Sequence, residues 1–383
     1  MRHSTDRILA THVGSLPELV RLDPAATDYD RILQEGVAAV VAKQRELGID
    51  FINEGEYTKG GTWISYVGDR FAGLAERPRN SASDVLRGKD REEFAEFYAH
   101  ATATGTLFFS SPLAKGVRSS NWVCTGPIAY KGHSLLKREI SLLQACLAPE
   151  EGFLTTTAPS SLEPHVENEF YRGAEELLHA LGEAMRVEYE AIAAAGFDVQ
   201  VDDAWLAALW DRIGIPMGLN AYRRYCELRI EVLNHALRNV PEEKVRYHLC
   251  WGSWHGPHVH DIGMDVMIDL MLRVKAGAYS FEAANARHEH EYALWERVRL
   301  PEGKLILPGV ITHSTNVVEH PELVSQRIRR FARLVGRENV IASADCGFGG
   351  RAHPQIAWAK LRALTEGARA ASRALEFPGS HEP

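Results

Sequence analysis

The chain has 383 residues, 45% hydrophobic and 25% charged, a balance ordinary for a globular protein and too apolar for a disordered one. Its formal net charge is −8 and no block of Lys and Arg stands out, which argues against nucleic acid or an anionic membrane as partner. No apolar run reaches bilayer length, Met1-Arg2-His3-Ser4-Thr5-Asp6 lacks a signal-peptide core, and five widely spaced cysteines read as reduced thiols, so a cytoplasmic protein is expected.

Residues 7–17 read as a buried first strand ending in the Gly14-Ser15-Leu16-Pro17 turn, and 29–47 shows helical spacing. A second strand, 49–56, runs into Thr58-Lys59-Gly60-Gly61. Residues from about 72 to 117 are more polar and less regular, with a helical-looking piece at 91–100, and are expected to be an excursion on the main fold. Strand character resumes at 121–127, followed by a helix at 135–147, a strand at 154–159 and a long amphipathic helix at 168–195. The stretch 196–203 is a strand delivering two carboxylates, Asp202 and Asp203, at its C-terminal end.

Helices at 220–238, 264–275, 289–298 and 321–334 then alternate with strands at 245–250, 278–282, 304–308 and 340–344. Roughly eight or nine βα units fit an α/β TIM (βα)8 barrel, read as one domain over 1–383, whose functional groups gather at the C-terminal ends of the strands. A doubly wound sheet competes, but no Gly-rich dinucleotide fingerprint or P-loop follows any strand.

The stretch Arg246-Tyr247-His248-Leu249-Cys250-Trp251-Gly252 carries the sharpest chemistry. On an extended strand His248 and Cys250 leave the same face and can meet one ion. Ser280-Phe281-Glu282 and Ala344-Asp345-Cys346-Gly347 each end a later strand with one more candidate ligand. One His, two Cys and one Glu suit Zn2+, the carboxylate being the replaceable fourth ligand. The pair His288 and Glu291, one helical turn apart, invites a second metal reading, but a charged helix start accounts for it as well. His255, His258 and His260 are candidates for a mouth lining, and Cys124, Cys146 and Cys226 are assigned to packing.

With these motifs in view the chain resembles the cobalamin-independent methionine synthase family, in its single-barrel branch. The resemblance implies zinc on His248, Cys250, Glu282 and Cys346. It places the family's proton-handling His at His313, within Pro308-Gly309-Val310-Ile311-Thr312-His313-Ser314-Thr315-Asn316. It also implies that Asp202, in Gln200-Val201-Asp202-Asp203-Ala204, holds a substrate amino group, and that Val13, Gly14 and Ser15 lend backbone groups to an amino-acid carboxylate. One position departs: the second amine-binding acid of the synthases, sought shortly after Gly55-Glu56, falls on Ile64 or Ser65. The branch also resembles epoxyalkane:coenzyme M transferase, whose thiol carries a sulfonate; Lys59 is a candidate for meeting such an anion, though a solvated loop lysine is the commoner identity at such a place.

The implied activity is a zinc-dependent thiol methyl- or alkyltransferase, moving an alkyl group to a zinc-bound thiolate with His313 as general acid. Its partners would be a small-molecule thiol and an alkyl donor, whether methyl-folate, an epoxide or a corrinoid-borne methyl; homo-oligomerisation stays open. Two other readings compete. A zinc hydrolase would use metal-bound water, for which two Cys ligands are poorly suited. A purely structural zinc would be closed by four durable ligands rather than include a carboxylate.

Overall fold

The computed structural model describes residues 1–59, 63–78, 87–107, 120–147 and 151–376. In chain order its strands are β1 (Leu9–Ala10), β2 (Phe51–Ile52), β3 (Phe71–Pro78), β4 (Ser120–Tyr130), β5 (Glu151–Thr157) and β6 (Val166–Asn168). They continue as β7 (Asp198–Asp203), β8 (Val245–Leu249), β9 (Ala278–Phe281), β10 (Leu305–Ile311) and β11 (Ile341–Ala344). Eight of them form one parallel sheet in the order β1-β11-β10-β9-β8-β7-β5-β2. The seam between β1 and β2 is bridged by Asp50, whose backbone N–H donates to Ala10 O at 2.9 Å and whose Oδ2 accepts from Ala10 N at 2.8 Å. The result is the expected TIM barrel.

Period-two alternation sorts the strand residues into two sets. Leu9, Phe51, Phe153, Leu305, Leu307 and Ile341 turn inward and close the lower barrel as an apolar plug, while their neighbours pack outward against the helices. Above the plug the interior becomes polar. The Arg246 guanidinium lies 3.8 Å from the Phe153 ring centroid and donates to His12 O at 2.9 Å.

The helix Tyr29–Leu47 shows how the outer layer forms. Leu33, Val37, Val40, Val41 and Leu47 recur at three- and four-residue spacing and are buried, and Gly48, at φ 81, ends it. Each such Leu or Val contributes roughly 1.5–3 kcal/mol by leaving water. The closing helix Pro354–Ala374 has no counterpart among the sequence expectations; the His353 side chain caps it by accepting from Gln355 N.

The stretch 121–127 is a strand but not a barrel strand. Within β4 it pairs antiparallel with β3, and β6 adds on parallel, making a separate three-stranded sheet. Its run Trp122-Val123-Cys124 is buried, and alternating hydrophobicity alone cannot tell which sheet a strand will join. The excursion itself is present as β3 and the helices Lys89–Glu93 and Ala95–Thr104, while residues 79–86 and 108–117 of the expected 72–117 lie outside the described residues. All five cysteines are free thiols, and no described helix is long and apolar enough to cross a membrane.

A buried ion cluster fastens this side sheet to the barrel. Arg70 pairs with Glu139 at 2.6 Å and Glu188 at 2.9 Å, each of the three side chains almost wholly buried. Tyr66 and Tyr130 also donate to Glu188. Replacing Arg70 by Met removes the cation paired with Glu188 and leaves Glu139 only Lys59, 3.6 Å away, and is expected to cost about 3–5 kcal/mol in urea unfolding. Wild-type stability in that variant would show the cluster to be solvated instead.

Candidate metal and acceptor site

The C-terminal ends of β8, β9, β10 and β11 converge on one point above the barrel. There a ring nitrogen of His248 and the sulfurs of Cys250 and Cys346 lie within 4.8 Å of one another, all three side chains buried. The two sulfurs are 3.9 Å apart. Two sulfurs bound tetrahedrally to zinc at about 2.3 Å sit about 3.8 Å apart, so the pair fits that ion. His248 is oriented for the same purpose. Its Nδ1 engages Ser280 Oγ at 3.0 Å, while Nε2 is buried without a hydrogen-bond partner, a costly arrangement that a metal bond relieves.

Electrostatics distinguish the two cysteines. The hydrogen bond from the Cys250 thiol pulls Cys346 well below the usual thiol range, helped by Arg351 and His248 against the opposing effect of burial. Cys250 is pushed up by that same bond and by burial. The surroundings thus favour the thiolate at Cys346 over Cys250.

Glu282 stands beside this trio. Its Oε1 is 3.7 Å from Cys250 Sγ and accepts from Trp251 N at 3.0 Å, and its Oε2 accepts from Asn285 Nδ2 at 2.6 Å. Burial and the neighbouring Asp345 raise its pKa to about 7. Asp345 in turn accepts from Ala283 N and Ala284 N at 2.8 Å each, tying the turn before Cys346 to the strand end that carries Glu282.

Two further acids face the same space. Asp202 ends β7, accepts from Gln200 Nε2 at 2.8 Å, and has its pKa raised to about 7 by burial and by Glu56, against the effect of His248. Glu56 sits at φ 62, a strained backbone for a residue with a side chain, and accepts from Thr155 Oγ1 at 2.9 Å. Burial raises its pKa as well. The Glu56 carboxylate packs against the bare face of Gly14, where a Cβ would fall 2.6 Å from Oε1. Gly14 also adopts φ 143, so no other residue suits that turn.

Glu56, which the sequence reading used only as a landmark, is a second buried acid beside Asp202, whereas the acid was sought at Ile64 or Ser65. Its position at a strand end was the available signal. Ile64 packs against the apolar core instead.

The first turn is held from below and from the side. Gln200 Nε2 donates to Val13 O, and Ser15 O accepts from Phe348 N at 2.8 Å and Gly349 N at 3.1 Å. Arg351, which sequence reasoning passed over, reaches Ser15 Oγ at 3.5 Å, and its Nε is buried without a partner. Burial lowers the pKa of its guanidinium, but Cys346, Cys250, Glu56 and Asp202 outweigh that and raise it, so a positive charge sits near the cysteines and the two acids. The Gly349-Gly350 run just before it, which frees the chain to turn back over the site, was the only hint. Lys59 is not a solvated loop residue. It is buried, donates to Thr155 O and to Thr155 Oγ1 at 2.6 Å, and lies 3.6 Å from Glu139, so its charge is already engaged.

His313, after β10, is buried, and its Nδ1 has no hydrogen-bond partner. Burial pushes its pKa down to about 3, with the Cys346 charge opposing and Arg351 adding to the fall. It rests neutral, not as the near-neutral-pKa acid that an isolated His would make. Of the other candidates, His255 has its Nε2 buried without a partner, whereas His258 pairs with Asp261 at 3.0 Å and His260 with Glu93 at 2.6 Å. His288 is held between Glu291 at 2.8 Å and Asp261 at 3.2 Å. Among the described residues only His248, Cys250 and Cys346 form a compact metal-binding group. The Trp63 side chain packs against the two cysteines and walls one side.

Comparison with known proteins agrees with this geometry. Residues 151–370 match the family described as cobalamin-independent synthase, catalytic domain. A methionine synthase of Saccharolobus solfataricus is 22% identical over 382 residues, covering 96% of each chain. A methionine synthase of Sulfurisphaera tokodaii is 22% identical, covering 96% of this chain and 94% of its own. Among solved structures, a B12-independent methionine synthase from a Shewanella species, in complex with selenomethionine, superposes with a TM-score of 0.73 at 16% identity, over 96% of this chain and 99% of that one.

Proposed function

The chain belongs to the cobalamin-independent synthase catalytic-domain family, and from that premise we propose that it transfers a methyl group from a methyl-folate to the thiol of a homocysteine-like α-amino acid, with zinc held by His248, Cys250 and Cys346 and with Glu282 as the exchangeable fourth ligand. The observation that carries this reading is two groups gathered at the cysteines: the buried acids Asp202 and Glu56, and Arg351 with Ser15. An α-amino acid offers an ammonium to the first and a carboxylate to the second. A sulfonate thiol such as coenzyme M leaves both acids without a cation, which disfavours the alternative. The selenomethionine bound by the similar Shewanella protein is itself an α-amino acid of the product's shape.

Zinc supplies the positive charge that keeps an incoming thiol deprotonated at neutral pH, where a free thiol of pKa about 8.5 is only a few per cent thiolate. The chain's own residues do the rest. Asp202 and Glu56 accept hydrogen bonds from the ammonium, while Ser15 and Arg351 hold the carboxylate, so the acceptor sulfur is aimed rather than merely bound. Trp63 keeps water from the cysteine side. As the S–C bond forms and the C–N bond to the donor breaks, the neutral Nδ1 of His313 would relay a proton taken from solvent to the leaving nitrogen; because burial disfavours the imidazolium, the proton is passed on rather than kept. Two anionic sulfurs in the donor set also make hydrolysis through an activated water the weaker reading.

The test is acceptor affinity as a function of pH. The Asp202 carboxyl must be ionised to receive an ammonium, so the KM for homocysteine is expected to fall as pH rises through about 7, the value to which burial raises that group. A bound dication lowers this midpoint and leaves its sign unchanged. In Asp202→Asn the KM is expected to rise by on the order of 30-fold or more, since removing one partner of a buried charge pair costs about 2–5 kcal/mol. A KM for homocysteine unchanged in Asp202→Asn would refute the amine assignment.

A further inference from the structure

Ser253 adopts φ 55, one of the described non-glycine residues in the left-handed region, and its neighbour Gly252 adopts φ 106. A serine held there costs about 1–3 kcal/mol and persists only where its surroundings over-determine it. Here they do. A Cβ on Gly252 would fall 1.9 Å from Trp254 Cζ3, so the turn admits only glycine before Ser253. Trp254 is itself pinned, donating from Nε1 to Tyr98 OH at 3.1 Å and stacking on His258 with ring centroids 4.3 Å apart.

The excursion fastens the rest of the loop. His255 N donates to Leu107 O at 2.8 Å, and Val259 N and His258 N donate to Asp90 at 3.0 and 3.3 Å. The strain is therefore offset by contacts reaching in from the 87–107 segment. What it secures is the placement of one hydroxyl: the Ser253 side chain is buried, with Oγ 2.9 Å from Cys346 Sγ and 3.3 Å from Cys250 Sγ.

We infer that Ser253 is a positioning residue for the cysteine pair, its hydroxyl donating to Cys346 Sγ and so withdrawing electron density from that sulfur, with the excursion helices holding the turn that presents it. The inference rests on the metal reading given above. A hydrogen bond on a thiolate lowers the energy of the sulfur lone pairs and weakens their donation to a cation, so Ser253 sets how electron-rich the centre is.

The test uses the full-length protein loaded with cobalt(II), whose sulfur-to-metal charge-transfer band in the near ultraviolet reports lone-pair energy directly. Ser253→Ala removes the hydroxyl. Ser253→Gly removes it and also relieves the backbone strain, so the second variant stays informative if the first folds poorly. Both are expected to move the band to longer wavelength than in the wild type, because losing the hydrogen bond raises the sulfur lone pairs. A band at the wild-type position in both variants would overturn the inference and leave Ser253 a turn residue. A wild-type protein with no such band would overturn the metal reading, and this inference with it.

Discussion

Replacing Cys346 by alanine is expected to abolish metal binding and slow methyl transfer by on the order of a thousandfold, while the barrel stays folded. The stability side follows from its surroundings: Cys346 sits in a small cluster with Ala204, Cys250 and Trp63, apart from the main core, so losing one sulfur leaves little cavity. The catalytic side follows from the charge. Cys346 is the sulfur the site keeps anionic, and removing it takes away both a ligand and the charge that balances a dication. Losing a metal that acts on the reacting atom costs several kcal/mol, and about 4 kcal/mol corresponds to a factor on the order of a thousand. Elemental analysis and single-turnover kinetics check this together; a variant that keeps stoichiometric zinc and a rate within about tenfold of wild type would contradict it.

Replacing His313 by asparagine is expected to lower kcat by about 10²- to 10⁴-fold, the usual worth of a positioned proton-transfer group, with little change in KM for the acceptor. The distinction rests on placement. His313 lies buried at the end of β10 with a free Nδ1, whereas the acceptor's polar head is met by Asp202, Glu56, Ser15 and Arg351. A fall in acceptor affinity with kcat preserved would instead make His313 part of the acceptor's binding site.

The barrel was legible because its strands and helices alternate at regular spacing, and the metal group because His248 and Cys250 share a strand face while Cys346 ends another strand. The strand at 121–127 was legible as a strand but not as part of a side sheet, since its partner β3 is chosen by local antiparallel pairing that no periodicity encodes. Glu56 escaped because its role depends on a left-handed backbone that turns its carboxylate towards Gly14. Lys59 looked like a surface loop lysine because two of the four glutamates around it, Glu139 and Glu188, come from distant helices, while Glu54 and Glu56 follow β2. The lowered pKa of His313 likewise follows from burial, which a motif does not show.

The most direct measurement is calorimetric titration of the zinc-loaded protein with homocysteine and with coenzyme M, in buffers of differing ionisation enthalpy. Homocysteine is expected to bind with release of about one proton, the thiol's own, and coenzyme M to bind far more weakly. Tight binding of coenzyme M alone, or homocysteine binding without proton release, would contradict a thiolate-forming site built for an α-amino acid.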